Sequence, residues 1–522
     1  MKYNSMRFLT IIFLLVLHYS SAAQAPTIKW QKTLGGSDED DGYSILATQD
    51  SGFIVVGETY SSDGDIHGYH SNGDGFIMKL NASGTIVWSK TLGGSAEDGL
   101  YHVTQTSDGN YIAAGTTSSS DGDITSSHGF YDYWVVKFTP TGTVLWNKTY
   151  GGAADDEANA IQQASDGGYI VVGYSSSSDG DLVGNKGYED AWVLKLNDTG
   201  SIQWQKNYGG SKTDEGTFIR QTTDGGYIVC GNTYSSDSDI TSNHGQSDIL
   251  LFKISNSGSL SWAKTFGGSN FESAYSLQQT FDKGFIISGS SSSFDGDVTS
   301  IYGNDDIWLV KTDSAGNLTW QSTHGGTSDD EGSYIYQTSD SGYVVTGTTT
   351  SNDYEVTGQH GSYDVWLLKT NSTGTLVWQK TLGGDSVDAG FSVCPTLDNG
   401  YAIFGLTNSD NGDVSGKHGG NDGIADAWLI KLSNTSAITE VNATKPDIKV
   451  YPTITTNNVT IDLPAGFELA NMYLVNALGQ KTNLPYTAGL KRIISLSNLA
   501  NGVYTLEIVN GNNHYSYTVV KK

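Results

Sequence analysis

Residues 100–152 read LYHVTQTSDGNYIAAGTTSSSDGDITSSHGFYDYWVVKFTPTGTVLWNKTYGG. Leu100 to Thr106 is a short strand-like run, and Asp108-Gly109-Asn110 is a tight turn. Tyr111 to Gly115 makes a second strand. A Ser/Asp/Gly loop from Ser118 to Tyr131 leads to a third, Tyr133 to Phe138. Pro140-Thr141-Gly142 turns the chain into a fourth, Val144 to Thr149, and Gly151-Gly152 closes the unit. Short β-branched and aromatic runs between Gly/Asn/Asp turns are the hairpin pattern. No 3.6-residue periodicity accompanies them.

The unit recurs without slippage. Trp30, Trp88, Trp146, Trp204, Trp262, Trp320 and Trp378 stand 58 residues apart. Four antiparallel strands, a to d, in each of seven tandem copies predict an all-β chain folded as a seven-bladed β-propeller. Packing blades face to face needs bulk on strand c. Trp134, Trp192, Trp308, Trp366 and Trp428 supply it, with Phe76 and Leu250 in the same slot. The first Trp-bearing d strand, Lys29 to Leu34, precedes everything else, and none follows the last c strand, Ala427 to Leu432. The N-terminal strand is therefore expected to complete blade 7 as a velcro closure, which removes two free edges.

The a–b turns run from Asp50-Ser51-Gly52 to Asp398-Asn399-Gly400. The Asp is expected to cap the turn and the third position to take a left-handed backbone. Hairpin geometry puts the a–b and c–d turns on one face of the ring. The long b–c loops and the acidic d–a connections share the other.

On that second face several frames hold a carboxylate in every copy: Asp40 and its equivalents, Asp74 and its equivalents, and the b–c pairs. Such density repels itself unless neutralised. Two readings follow. In one, the Ser-Ser-Asp-Gly-Asp loops bind calcium through Asp63, Asp65, Asp121, Asp123, Asp179, Asp181, Asp237, Asp239, Asp295 and Asp297. In the other, Asp caps local turns and pairs with the internal lysines Lys79, Lys137, Lys195, Lys253, Lys311, Lys369 and Lys431. A histidine frame (His70, His128, His244, His360, His418) has Lys186 and Tyr302 in two copies. One nitrogen per blade does not make a zinc site, so a packing or loop hydrogen-bond role is expected. Cys230 and Cys394 sit in different frames and are read as separate buried side chains.

Four departures break the repeat: an insertion around 419–424, Asn352-Asp353-Tyr354-Glu355 in blade 6, Phe294 in blade 5, and Cys394-Pro395. None forms a nucleophile–base set, and no catalytic residue is assigned.

The ends carry different signals. Lys2 and Arg7 before the apolar run Phe8 to Leu17, then Ser21-Ala22-Ala23, read as a signal peptide over 1–23. No other segment is apolar for the ~20 residues that a transmembrane helix needs. The net charge of −28 belongs to the repeats, because 445–522 hold seven Lys/Arg against four Asp/Glu. A surface so negative disfavours nucleic acid as a partner. The propeller spans 24–432, a Ser/Thr/Asn-rich linker 433–446, and a small antiparallel β-sandwich 447–522.

In this last part Val450-Tyr451-Pro452, Asn476-Ala477-Leu478-Gly479-Gln480, Leu499-Ala500-Asn501-Gly502-Val503-Tyr504 and the terminal Val519-Val520-Lys521-Lys522 occur in order. The set resembles the type A sorting domain of the type IX secretion system of Bacteroidetes. Thr453 departs from the usual Asn-Pro continuation. The resemblance implies passage through that machinery to the cell surface or the medium, with the tail often removed. The expectation is an exported binding or adhesion scaffold for a glycan or protein ligand, with calcium as a possible ion. The alternative is a secreted polysaccharide-degrading enzyme with an axial site.

Overall fold

The computed structural model describes residues 24–419, 423–434, 448–464, 467, 471–475, 481–483, 490–510 and 513–522. The signal-peptide reading, most of the linker, positions 420–422 and the 476–480 turn lie outside the described residues.

Strand β1 (Ile28–Leu34) precedes blade 1, which is β2 (Asp40–Ala47), β3 (Phe53–Thr59), β4 (Asp74–Leu80) and β5 (Ile86–Leu92) in the order a, b, c, d. Five more four-stranded antiparallel sheets repeat this order. The seventh contains Asp388–Pro395, Tyr401–Thr407 and Asp426–Leu432, with β1 as its outer strand. Ile28 pairs with Leu432 and Leu34 with Ala427. Blade 1 packs in turn on blade 7, so the seven sheets form a closed ring. The velcro closure read from the sequence is present.

Packing explains the fixed period. The strand-c rings Trp134, Trp192, Trp308, Trp366 and Trp428 are buried between blades, as are Phe76 and Leu250. Strand b carries Gly at the level of each ring, because a Cβ on Gly57 would stand 1.9 Å from the Asp41 carbonyl and 2.6 Å from the Phe76 ring. The d-strand tryptophans do a different job. Trp88 lies under the c–d turn of the next blade, its ring 3.0 Å from where a Cβ on Gly142 would be, and its indole N–H donates to the Pro140 carbonyl at 3.0 Å. Trp30 of β1 meets Gly84 of blade 1 in the same way, at 2.9 Å. The tryptophan that marks the repeat is a latch between neighbours.

The a–b turns correct one expectation. The left-handed residue is the second, not the third: Ser51, Gly109, Gly167, Gly225, Lys283, Ser341 and Asn399 have φ between 60° and 86°. The third position is Gly for lack of room. A Cβ on Gly52 would stand 2.2 Å from the Leu80 carbonyl and 2.4 Å from Lys79 Nζ.

The chain divides after Thr435 into two units. In the second, Lys449–Tyr451, Asn458–Asp462 and Lys491–Ser495 form one sheet, and Ile454–Thr455, Asn513–Lys521, Gly502–Asn510, Asn471–Val475 and Lys481–Asn483 the other. Val459, Ile461, Leu496, Leu506, Ile508 and Val519 fill the space between them. The sandwich is not wholly antiparallel, since Ile454–Thr455 pairs in parallel with the last strand.

Deleting residues 24–34 leaves blade 7 with three strands and uncovers the edge of Asp426–Leu432. The expected outcome is a melting temperature lower by about 5 °C, since several kcal/mol are lost and each lowers it by only about 1 °C in a unit of this size. Restoration by a synthetic 24–36 peptide checks the cause, and an unchanged melting curve would contradict closure by this strand.

Candidate functional site

The internal lysines do not neutralise the acidic face. Each sits at the end of strand c, beside the c–d turn, and reaches the a–b turn aspartate on the same rim. Lys79 Nζ lies 2.9 Å from Asp50, Lys195 2.8 Å from Asp166 and Lys431 2.9 Å from Asp398. The lysine side chains are 2–11% exposed. The alternative pairing of these lysines with the loop-face aspartates is therefore incorrect. They belong to the turn rim, where side-chain bonds from Thr48 and Lys79 hold Asp50 down to about 2.

The loop face neutralises itself with hydrogen-bond donors. At the head of each a strand a fully buried carboxylate (Asp40, Asp98, Asp156, Asp214, Glu272, Asp330, Asp388) accepts the N–H of the second Gly of the preceding Gly-Gly pair at 2.6–2.8 Å. Thr117 and Ser119 add hydroxyl donors to Asp98, as Thr233 and Ser235 do to Asp214. A second buried carboxylate heads strand c. Asp74 accepts the N–H of His70 at 2.6 Å and its Nδ1 at 3.0 Å. The histidine frame thus makes a loop hydrogen bond, as expected. Where Lys186 or Tyr302 replaces His, its own N–H still serves Asp190 or Asp306, at 2.7 and 2.6 Å.

The two carboxylates of neighbouring blades flank the first Gly of each pair. A Cβ on Gly93 would stand 2.3 Å from Asp74 Oδ1 and 2.6 Å from Asp98 Oδ2. Asp74 Oδ1 and its equivalents in Asp132, Asp190, Asp248, Asp306 and Asp364 have no hydrogen-bond partner. Two carboxylates this close and this dry do not both ionise readily. Burial pushes Asp74, Asp156 and Asp190 up to about 6 and Asp306 up to about 7.

The ten aspartates read as calcium ligands are not gathered. Asp63, Asp121, Asp179, Asp237 and Asp295 each accept one N–H of the d–a connection, from Ser37, Ser95, Ala153, Ser211 and Ser269, at 2.7–2.8 Å. Asn411 does the same in blade 7 at 3.0 Å, so a neutral oxygen suffices. Asp123, Asp181, Asp239 and Asp297 face the N–H of the first Gly at 3.3–3.4 Å. Asp65 stands 3.7 Å from Lys32 and 3.9 Å from His418. Among the described residues no three His, Cys, Asp or Glu side chains are grouped to hold a metal ion.

The sequence pointed to the axis as a place for a site but assigned no residues to it. The a strands line it, and at one level they carry Ser44, His102, Ala160, Phe218, Ser276, Tyr334 and Ser392. The three large side chains meet where seven small ones would leave a hole. His102 and Phe218 rings are 5.4 Å apart, Phe218 and Tyr334 5.6 Å. Arg220 lies 4.4 Å from the Phe218 ring centre and donates to Tyr334 Oη at 3.2 Å. Burial, and secondarily Arg220, push His102 down to about 3, so the plug's ring is neutral.

Above the plug, the loop-face mouth is formed by the starts of the a strands, the ends of the b strands and the approach to strand c. Six frames, those of residues 39, 41, 43, 58, 60 and 73, hold eleven Asp/Glu and no Lys, Arg or His. Tyr60 donates to Glu58 and Tyr131 to Glu97, each at 2.8 Å. Tyr43 packs on Tyr101 and Phe391, at 5.1 and 5.9 Å. Burial, then Glu39 and Asp40, push Asp41 up to about 7. Burial, opposed by the Tyr60 bond and reinforced by Glu97, does the same to Glu58. Blade 7 is apolar in four of these frames, with Val387, Ala389, Phe391 and Leu406. Together with Asp329, Glu331, Thr348 and Tyr363 these line a cavity of about 250 Å³. The only sign of this collar in the sequence is the failure of its frames to repeat.

Comparison with known proteins bears chiefly on the tail. Residues 449–522 match the family described as "Secretion system C-terminal sorting domain". The tail is thus a type IX sorting domain, and it directs export to the cell surface or the extracellular space. The regulatory protein FlaEY of Caulobacter vibrioides is 23% identical over 228 residues, which is 39% of this chain and 23% of that protein. The chain therefore spans under a quarter of the relative's length. Among solved structures, PorZ of Porphyromonas gingivalis, a surface component of the type IX secretion system, has a TM-score of 0.38 at 12% identity, covering 94% of this chain and 60% of its own. Sqt1 of Chaetomium thermophilum has 0.37 at 11% identity, covering 78% and 100%. No helix among the described residues is long and apolar enough to cross a membrane.

Two outcomes follow from the carboxylates. Asp121→Asn keeps an acceptor for the Ser95 N–H and leaves stability within about 0.5 kcal/mol, whereas Asp121→Ala costs about 1–2 kcal/mol. Urea unfolding with and without calcium checks this, and equal loss in both variants, only with calcium present, would show a ligand role instead. The raised carboxyls bind protons more tightly folded than unfolded, so their contribution is complete below about pH 4 and is lost as pH rises through 6–7. The lowered turn-rim aspartates oppose this only below about pH 4. The melting temperature should be higher at pH 5 than at pH 8, and the reverse order would show that the seams carry no protonated carboxyls.

Proposed function

We propose that this chain is an exported binding scaffold that holds its ligand at the loop-face mouth of the propeller axis. The observation that carries the reading is the break in the repeat. Frames that build the seams keep one residue type in all or nearly all copies, whereas the collar frames change from blade to blade. A ring of identical units gains nothing structural from such change, and one ligand is not seven-fold symmetric.

The chemistry of the collar selects the ligand. An arc of carboxylates with no cation among them favours positive charge, and the low-dielectric walls strengthen that preference. The apolar blade 7 sector beside it offers an anchor for a hydrocarbon or aromatic group. The fitting ligand is a Lys- or Arg-bearing peptide segment with an apolar neighbour. Export by the sorting tail places such a site where extracellular or surface proteins are met.

A second reading, an axial glycoside hydrolase, is supported by one feature. Asp41 and Glu58 pair across strands a and b, and both are pushed up to about 7, as a general acid requires.

Titration calorimetry of the full chain with a Lys/Phe peptide tests the first reading. Binding should tighten as pH rises from 5.5 to 8, with protons released as Asp41 and Glu58 ionise, and weaken with salt. Glu58→Gln or Glu157→Gln should weaken it about three- to tenfold. Absence of binding, or binding indifferent to pH and to both variants, would overturn it. Release of reducing ends from a polysaccharide, abolished by Asp41→Asn, would favour the hydrolase.

A further inference from the structure

The seam between blades 5 and 6 departs from the repeat at four positions that meet in space. After the capping Asp of the b–c loop, five blades carry Gly and blade 4 carries Ser238, but blade 6 carries Tyr354. In the histidine frame, blade 5 carries Tyr302. At the end of strand d the other blades have Leu, Tyr or Phe, and blade 5 has His324. The second b–c carboxylate is Asp in six blades and Glu355 in blade 6. The Tyr302 and Tyr354 rings lie 5.2 Å apart, inclined at 44°. His324 Nδ1 is 2.8 Å from Glu355 Oε2, and His324 Nε2 is 3.0 Å from the Gly374 carbonyl. Glu355 follows Tyr354 directly in the chain, and burial, then the charge of Glu355, raise the Tyr302 phenol.

Folding does not account for these residues. Tyr354 has φ 49°, a left-handed backbone in which Gly costs nothing and a bulky side chain is strained. Its ring recovers little of that cost, because 68% of the residue remains exposed. Tyr302 is 39% exposed in a frame where histidine elsewhere makes the same backbone bond and adds one more. The propeller bears a penalty at this seam to keep two aromatic faces in water.

We propose that Tyr302 and Tyr354 form a stacking platform for one pyranose ring of a neutral glycan, with Glu355, oriented by buried His324, accepting a sugar hydroxyl. The C–H faces of a pyranose stack on aromatic rings, and its hydroxyls donate to carboxylates. Glu355 and Asp353, which flank Tyr354 in the chain, repel uronic acids and sulfated sugars, which restricts the class to uncharged ones. The site uses b–c loops rather than the axial collar, so it stands or falls independently of the peptide reading.

The test is saturation-transfer NMR of the full chain against neutral oligosaccharides (gluco-, xylo-, manno- and N-acetylglucosamine series). Tyr354→Gly, Tyr302→His and the collar variant Glu157→Gln are compared with the parent. Tyr354→Gly and Tyr302→His install residues that other blades carry, so both fold. At least one series should bind, each tyrosine variant should weaken it by about tenfold or more, and Glu157→Gln should leave it unchanged. The melting temperature of Tyr354→Gly should equal or exceed the parent's, which separates a binding role from a packing one. No binding by any neutral series, binding unaffected by both tyrosine variants, or a marked fall in the stability of Tyr354→Gly would overturn the proposal.

Discussion

The propeller depends on a carboxylate buried at the head of each inner strand. It takes the N–H of a Gly-Gly connection, two hydroxyls from the end of strand b, and the space that a side chain on the first glycine would fill, while the b–c aspartate fills that of the second. A buried carboxylate with three or four donors is stable where one without them is not. Removing the acid would strand those donors, and adding a Cβ to either glycine would drive it into a carboxylate. Acid, glycines and hydroxyls are therefore specified together, once per blade, and each set joins a blade to the one before it. Asp40 makes these bonds with Gly36, Thr59 and Ser61 beside the closing strand β1, so the closure is built like the other six joints, one of which uses Glu272 and Ser291.

This division of labour leaves other positions free. The strand-c rings, the d-strand latches, the turn-rim Lys–Asp pairs and the seam carboxylates repeat because each copy needs them. The collar and the blade 5/6 seam do not repeat, and nothing in the packing asks them to vary as they do. The plug keeps the axis from becoming a pore, filling it with three large side chains and four small ones. The loop face thus ends in a dish with an acidic arc, an apolar sector and an off-axis aromatic pair.

Much of this was legible in the chain. The tryptophan spacing, the glycine turns and the placement of one orphan strand at the N-terminal side were enough for blade number, strand order and closure. The internal lysines were misassigned although the information was present. Lys79 precedes Leu80, the last residue of strand c, and hairpin geometry already places that end on the a–b rim. The left-handed turn position was misjudged because Gly recurs next to it for a steric reason that only the Lys79 ammonium and the Leu80 carbonyl reveal. The collar was illegible because its signal is an absence of repetition spread over six frames, and because Glu58 and Asp41 become neighbours only through strand pairing. The two-residue parallel strand of the tail is too short to leave any pattern.

Hydrogen exchange at the second glycine of each connection tests the central claim most directly. Gly36, Gly94, Gly152, Gly210, Gly268, Gly326 and Gly384 lie outside any strand, yet each N–H is held by a buried carboxylate. Their amides should exchange as slowly as those of strand b, in all seven blades alike, including the joint at Gly36. Exchange at the rate of open loops, or protection in six blades and not at Gly36, would contradict a ring held shut by these carboxylates.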